Sequence, residues 1–157
     1  MRVIAGEAKG KTLKAVPGKG TRPVGDRVKE SLFNILRWRV AGCRFLDLFA
    51  GTGSVGIEAL SQGAAEAVFV EKAPKAARVV RENLRITEMS RRARVIQEDV
   101  FRFVVLANQR VAPADRFDVI YVAPPQYQEL WAKTLLALED SPLLAQDGII
   151  VVQIFPK

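Results

Sequence analysis

With 157 residues, 49% of them hydrophobic and 26% charged, the chain has the size and composition of one soluble domain closed around a core. It contains no histidine and one cysteine, Cys43, which excludes an internal disulfide, a cysteine-rich metal site and any mechanism built on an imidazole. No apolar run reaches the roughly eighteen residues of a membrane span, and the first residues lack a signal-peptide core, so a cytoplasmic protein without a bound metal is expected, most simply a monomer.

The formal charge of +7 is unevenly spread. Residues 1–44 hold 11 Lys and Arg against 3 Asp and Glu, whereas residues 45–157 hold the other 13 against 14. All of the excess positive charge therefore precedes residue 45. A polyanionic partner explains this better than a solubilising surface, and nucleic acid is the simplest one.

In chain order, residues 1–15 alternate as a short hairpin turning at Glu7–Gly10, and a Pro17–Gly20 connector follows. Asp26 is placed to cap a helix to about Trp38 with Val28, Leu32, Ile35 and Leu36 on one face. These first 44 residues read as an appendage on the main fold, residues 45–157, all within one domain. Phe45–Ala50 is an apolar run broken only by Asp47, as in a strand buried on both faces. Gly51, Gly53 and Gly56 then form G-x-G-x-x-G where strand becomes helix, with Ser54 as a possible cap. That spacing suits a tight turn at Gly51, close approach of a ligand at Gly53 and helix–strand packing at Gly56.

Alone the glycine pattern says little. A second strand, Ala67–Val70, ends in Glu71, twenty residues after Gly51, where a carboxylate can accept hydrogen bonds from ribose hydroxyls. Asp47 puts a second carboxylate beside the turn. It would repel a pyrophosphate and attract a cationic sulfonium with an amino-acid tail. Beyond it the sequence predicts a helix from Pro74 to about Arg85, a strand at Val95–Gln97, a helical piece from Phe101 to Asn108 and a strand at Phe117–Val122. A helix over 127–139 and a strand at Gly148–Ile154 complete the pattern. Strand and helix alternate, which favours a doubly wound, mostly parallel α/β sheet.

Asp47-x-Phe-Ala-Gly-Thr-Gly-x-x-Gly56 resembles motif I of S-adenosylmethionine-dependent methyltransferases. Together with Thr21-Arg-Pro-x-x-Asp-Arg-Val-Lys-Glu-Ser-Leu-Phe-Asn34, it resembles more closely the RsmD-type enzymes, which methylate N2 of one guanine in 16S ribosomal RNA. The likeness covers most of the chain. It implies a Rossmann-like methyltransferase fold, S-adenosylmethionine as cofactor, and 16S RNA or the assembling 30S subunit as partner. Asp47, Phe49, Ala50, Gly51, Thr52 and Gly53 would line the methionine side, Glu71 and Lys72 the ribose, and Asp99 with Val100 the adenine. Arg2, Lys9, Lys11, Lys14, Arg22 and Arg27 would face RNA.

Two departures stand out. The family usually places Asp or Asn before Pro-Pro and an aromatic immediately after, whereas this chain has Ala123-Pro124-Pro125-Gln126-Tyr127. Backbone carbonyls of Ala123 and Pro124 would then hold the guanine amine, and Tyr127 would stack on a turned-out base. Family members also normally finish with a further strand after one like Gly148–Ile154. A small-molecule methyltransferase, or a non-catalytic RNA-binding protein with a vestigial cofactor site, is the competing reading.

Overall fold

The computed structural model describes residues 1–18, 24–125 and 129–154. Five parallel strands, β1 (Arg44–Leu48), β2 (Glu66–Val70), β3 (Ala93–Ile96), β4 (Phe117–Val122) and β5 (Leu144–Val152), form one sheet in the order β3-β2-β1-β4-β5. The order reverses between β1 and β4, which is where an open α/β sheet leaves a crevice beyond its strand ends. Five helices join and cover the strands: α1 (Asp26–Leu36), α2 (Ser54–Ser61), α3 (Pro74–Ile86), α4 (Val100–Asn108) and α5 (Leu130–Leu138). None is long and apolar enough to cross a membrane.

Alternation along β1 divides the core in two. Phe45 packs with Leu32, Leu36, Phe69 and Val80 on the face carrying α1, α2 and α3. Leu46 and Leu48 pack with Val104 and Leu138 on the face carrying α4 and α5. The first 44 residues are part of the former layer, since Val3, Ala8 and Leu13 of the hairpin are buried in it. The hairpin closes through an antiparallel Arg2–Thr12 bridge, and a Cβ at Gly6 would overlap the Ser61 carbonyl at the end of α2.

Several expected boundaries shift. Asp26 is the first residue of α1 and caps nothing; Gly25 is the N-cap, and the Asp26 carboxylate accepts from Arg2 Nε at 3.0 Å. The buried face of α1 is Lys29, Leu32, Phe33 and Leu36, so Ile35, expected inside, is 71% exposed. Ser54 likewise does not cap α2, because left-handed Gly53 (φ 81°) occupies the cap position. β5 starts at Leu144, earlier than Gly148, through an irregularity that sets Phe117 opposite Leu144 but Val119 opposite Ile149.

Candidate functional site

Pairing of Leu48 with both Val70 and Val122 brings three loops together at the carboxyl ends of β1, β2 and β4. They are Phe49–Gly53, Glu71–Ala73 and Ala123–Pro125. The first turns sharply, with positive φ at Phe49 (64°), Gly51 (59°) and Gly53 (81°). A left-handed phenylalanine costs on the order of 1 kcal/mol. The flanking hydrogen bonds Ala50 N–H to Val70 O (3.0 Å) and Gly53 N–H to Ala50 O (2.9 Å) hold the turn. Gly56 lies against β2, where a Cβ would overlap the Phe69 ring, so its packing role is as read from the sequence. At Gly53 a Cβ would crowd Val80 of α3, so that glycine serves backbone geometry and helix packing.

Asp47 is 1% exposed, and its Oδ2 accepts from Gly56 N–H at 3.2 Å. Burial raises its carboxyl well above the usual range; the Gly56 N–H opposes this, and the nearby Glu71 charge adds to it. No cation among the described residues forms an ion pair with it. Glu71 has two backbone partners. Its Oε1 accepts from Gly51 N–H at 2.8 Å and its Oε2 from Ala73 N–H at 2.9 Å. Each oxygen keeps a second lone pair. Two carboxyl groups thus lie beside the left-handed turn, an arrangement suited to a cationic ligand bearing hydroxyls and ill suited to a pyrophosphate.

The remaining expected contacts are spread around this end of the sheet. Ala50 and Thr52 are buried, Lys72 is exposed, and Asp99 caps α4 by accepting from Arg102 N–H at 3.1 Å. Val100 is 3% exposed in the α4-side core, so only its backbone is free to meet a ligand. Ala123 is half-buried, Pro124 buried and Pro125 exposed. Asp118 cannot replace the missing side chain at Ala123, because it accepts from Arg44 N–H at the opposite end of the sheet. Burial, with the Asp118 charge, pushes the Cys43 thiol up to about 12, so it is no nucleophile. Tyr127 and Arg22 lie outside the described residues.

Of the expected RNA-facing cations, three are engaged within the molecule. Arg2 pairs with Asp26, Lys14 with Glu82, and Lys11 with Glu88 at 3.7 Å. Lys9 and Arg27 are exposed and carry no ion pair among the described residues. Sequence reasoning missed Asn83, which is fully buried on α3. Its Nδ2 donates to Thr52 O (2.9 Å) and Lys14 O (3.0 Å), and its Oδ1 accepts from Lys14 N–H (2.8 Å). One amide therefore ties the glycine turn to the hairpin. Its only trace in the sequence is an asparagine on the apolar side of an amphipathic helix.

A family model described as conserved hypothetical protein 95 matches residues 1–155. The chain belongs to this family. It is 44% identical over 154 residues to the putative rRNA methyltransferase YlbH of Bacillus subtilis, covering 98% of this chain and 82% of that protein. It is 34% identical over 153 residues to ribosomal RNA small subunit methyltransferase D of Escherichia coli, covering 98% of this chain and 74% of that one. The solved structure of a hypothetical protein from Thermus thermophilus, 39% identical, superposes with a TM-score of 0.83 over 97% of this chain and 84% of its own. The resemblance read from Thr21–Asn34 and the glycine motif thus extends along nearly the whole chain, and the fold is the Rossmann-like methyltransferase fold.

Proposed function

We propose that this protein transfers a methyl group from S-adenosylmethionine to the N2 amino group of a guanine in 16S ribosomal RNA, free or in the assembling small subunit. The observation that carries this reading is the buried Asp47 carboxyl group, without a cation partner among the described residues, beside the left-handed turn and Glu71. When bound, the cofactor supplies a methyl group activated by its sulfonium. Asp47 would hold its ammonium tail. The free lone pairs of Glu71 would hold its ribose, and Asp99 with the Val100 backbone would border its adenine. At the acceptor side, the carbonyls of Ala123 and Pro124 would accept the N–H groups of the guanine amine and aim its lone pair. Catalysis then rests on positioning and exclusion of water.

Methyl transfer into unmethylated 16S transcripts and into 30S particles lacking the mark, with the product nucleoside identified, tests the reading. N2-methylguanosine is expected. Binding of the 16S transcript without transfer to either substrate would instead favour the non-catalytic RNA-binding alternative, and binding of S-adenosylhomocysteine with no RNA binding the small-molecule one. In the same assay, Ala123→Asn should react no faster than wild type, since backbone carbonyls already serve the amine. One preorganised polar contact elsewhere is worth about a hundred- to a thousandfold. A gain of that size would refute the backbone-carbonyl account.

A further inference from the structure

The net charge of residues 45–157 hides a local excess. Within α3, Lys75, Arg78, Arg81 and Arg85 are exposed, against one acidic residue, Glu82. Their spacing of three and four places them along one helix face, opposite the buried Ala76, Val80 and Leu84. Glu82 does not neutralise the row. It is engaged by Lys14 of the hairpin, whose hydrogen bond holds the Glu82 carboxyl below the usual range, and Arg85 lies 3.9 Å away. Lys75, Arg78 and Arg81 form no ion pair among the described residues.

The row is also continuous with both functional regions. Its first turn follows directly on the Glu71–Ala73 loop of the site. At its far end, roughly 15 Å along the axis, Lys11 Nζ of the hairpin donates to Ile86 O at 3.3 Å. Hairpin and α3 therefore present one cationic surface that begins at the rim of the site.

We infer that the outer face of α3 is a phosphate-binding stripe, extending the hairpin surface and guiding the RNA backbone to the site. The inference rests on the proposed RNA substrate. Arginine and lysine at helical spacing offer point contacts to successive phosphates without reading bases, so the stripe contributes affinity and register but no sequence choice. Among the described residues, Lys75, Arg78 and Arg81 have no carboxylate to give up on binding, unlike Arg2, Lys11 and Lys14.

The test compares two triple variants of equal charge change, by binding of an unmethylated 16S transcript across roughly 50 to 300 mM KCl. One is Lys75→Gln, Arg78→Gln, Arg81→Gln on α3. The other is Arg102→Gln, Arg110→Gln, Lys133→Gln, of which Arg102 and Lys133 belong to α4 and α5 on the opposite layer and Arg110 follows α4. The α3 variant should lose about two to three units of salt slope, at 0.7–0.9 per phosphate contact, and bind at least about tenfold more weakly at 0.1 M salt. The opposite-layer variant should keep the wild-type slope, and both should bind S-adenosylhomocysteine as wild type does. An α3 variant with the wild-type slope overturns the stripe, and so does equal flattening in both variants. If the wild type methylates RNA in either case, the stripe alone fails. A wild type that neither binds nor methylates RNA removes the functional reading as well.

Discussion

Asp47 concentrates the conflict between stability and function in one side chain. It is almost wholly buried, and burial raises its carboxyl well above the usual range, with Glu71 adding to the rise. In the unfolded chain it titrates near 3.9. A raised folded value means that the stability this group contributes is complete below about pH 4. It is lost as pH rises towards and through the folded value, at about 1.4 kcal/mol per pH unit. Asp47→Asn removes the charge and keeps an acceptor for Gly56 N–H. The ligand-free variant should therefore gain on wild type as pH rises above about 4 towards the folded value, while S-adenosylmethionine affinity falls by roughly tenfold or more. Thermal melts across pH and calorimetric binding measure both, and a stability difference independent of pH would refute the assignment. The sequence announces Asp47 and Gly56 because residue type and spacing carry their roles. It does not announce left-handed Phe49 or the Asn83 clasp, since both depend on neighbours from other elements.

Among the elements, α1 departs from its apparent apolar stripe because of a lysine. The stripe Val28, Leu32, Ile35, Leu36 is the obvious apolar face, yet the helix buries Lys29 and Phe33 with Leu32 and Leu36. Lys29 is fully buried because Glu58 of α2, also fully buried, lies 3.2 Å away and Arg2 O accepts from its Nζ at 2.6 Å. Glu58 in turn accepts from Ile4 N–H (2.9 Å), Ala5 N–H (3.0 Å) and Gln62 Nε2 (2.8 Å). No periodicity in α1 could reveal a partner on another helix. Removing one member of a buried pair costs about 3–5 kcal/mol. Glu58→Ala leaves a buried ammonium without its counter-ion, held only by Arg2 O, and two backbone N–H groups without acceptors, whereas Lys29→Met leaves a carboxylate still held by three donors. Glu58→Ala should therefore be the more destabilising in denaturant titrations. The opposite order would show that the backbone donors contribute little.

For the whole molecule, alternating strand and helix runs make the parallel sheet readable, and the glycine pattern makes readable the turn after its first strand. The integration of the first 44 residues is not, because charge marks them as a binding surface and their few apolar positions look too sparse for a core. Val3, Ala8 and Leu13 nevertheless lie in the same cluster as Phe45 and Phe69, and the hairpin supplies the Ile4 and Ala5 donors to Glu58. Burying a valine or leucine is worth about 1.5–3 kcal/mol, and whole domains are stable by only about 5–15 kcal/mol. Deleting residues 1–16 should thus abolish cooperative folding, and with it S-adenosylmethionine binding and methyl transfer together. Lys9→Gln, Lys11→Gln, Lys14→Gln changes only exposed side chains, two of them in surface ion pairs worth at most about 1 kcal/mol each. That triple should melt within a few degrees of wild type and bind S-adenosylmethionine normally, while its RNA affinity falls and its salt slope flattens. A deletion variant that still melts cooperatively and binds the cofactor would mean that the hairpin is only a docking arm.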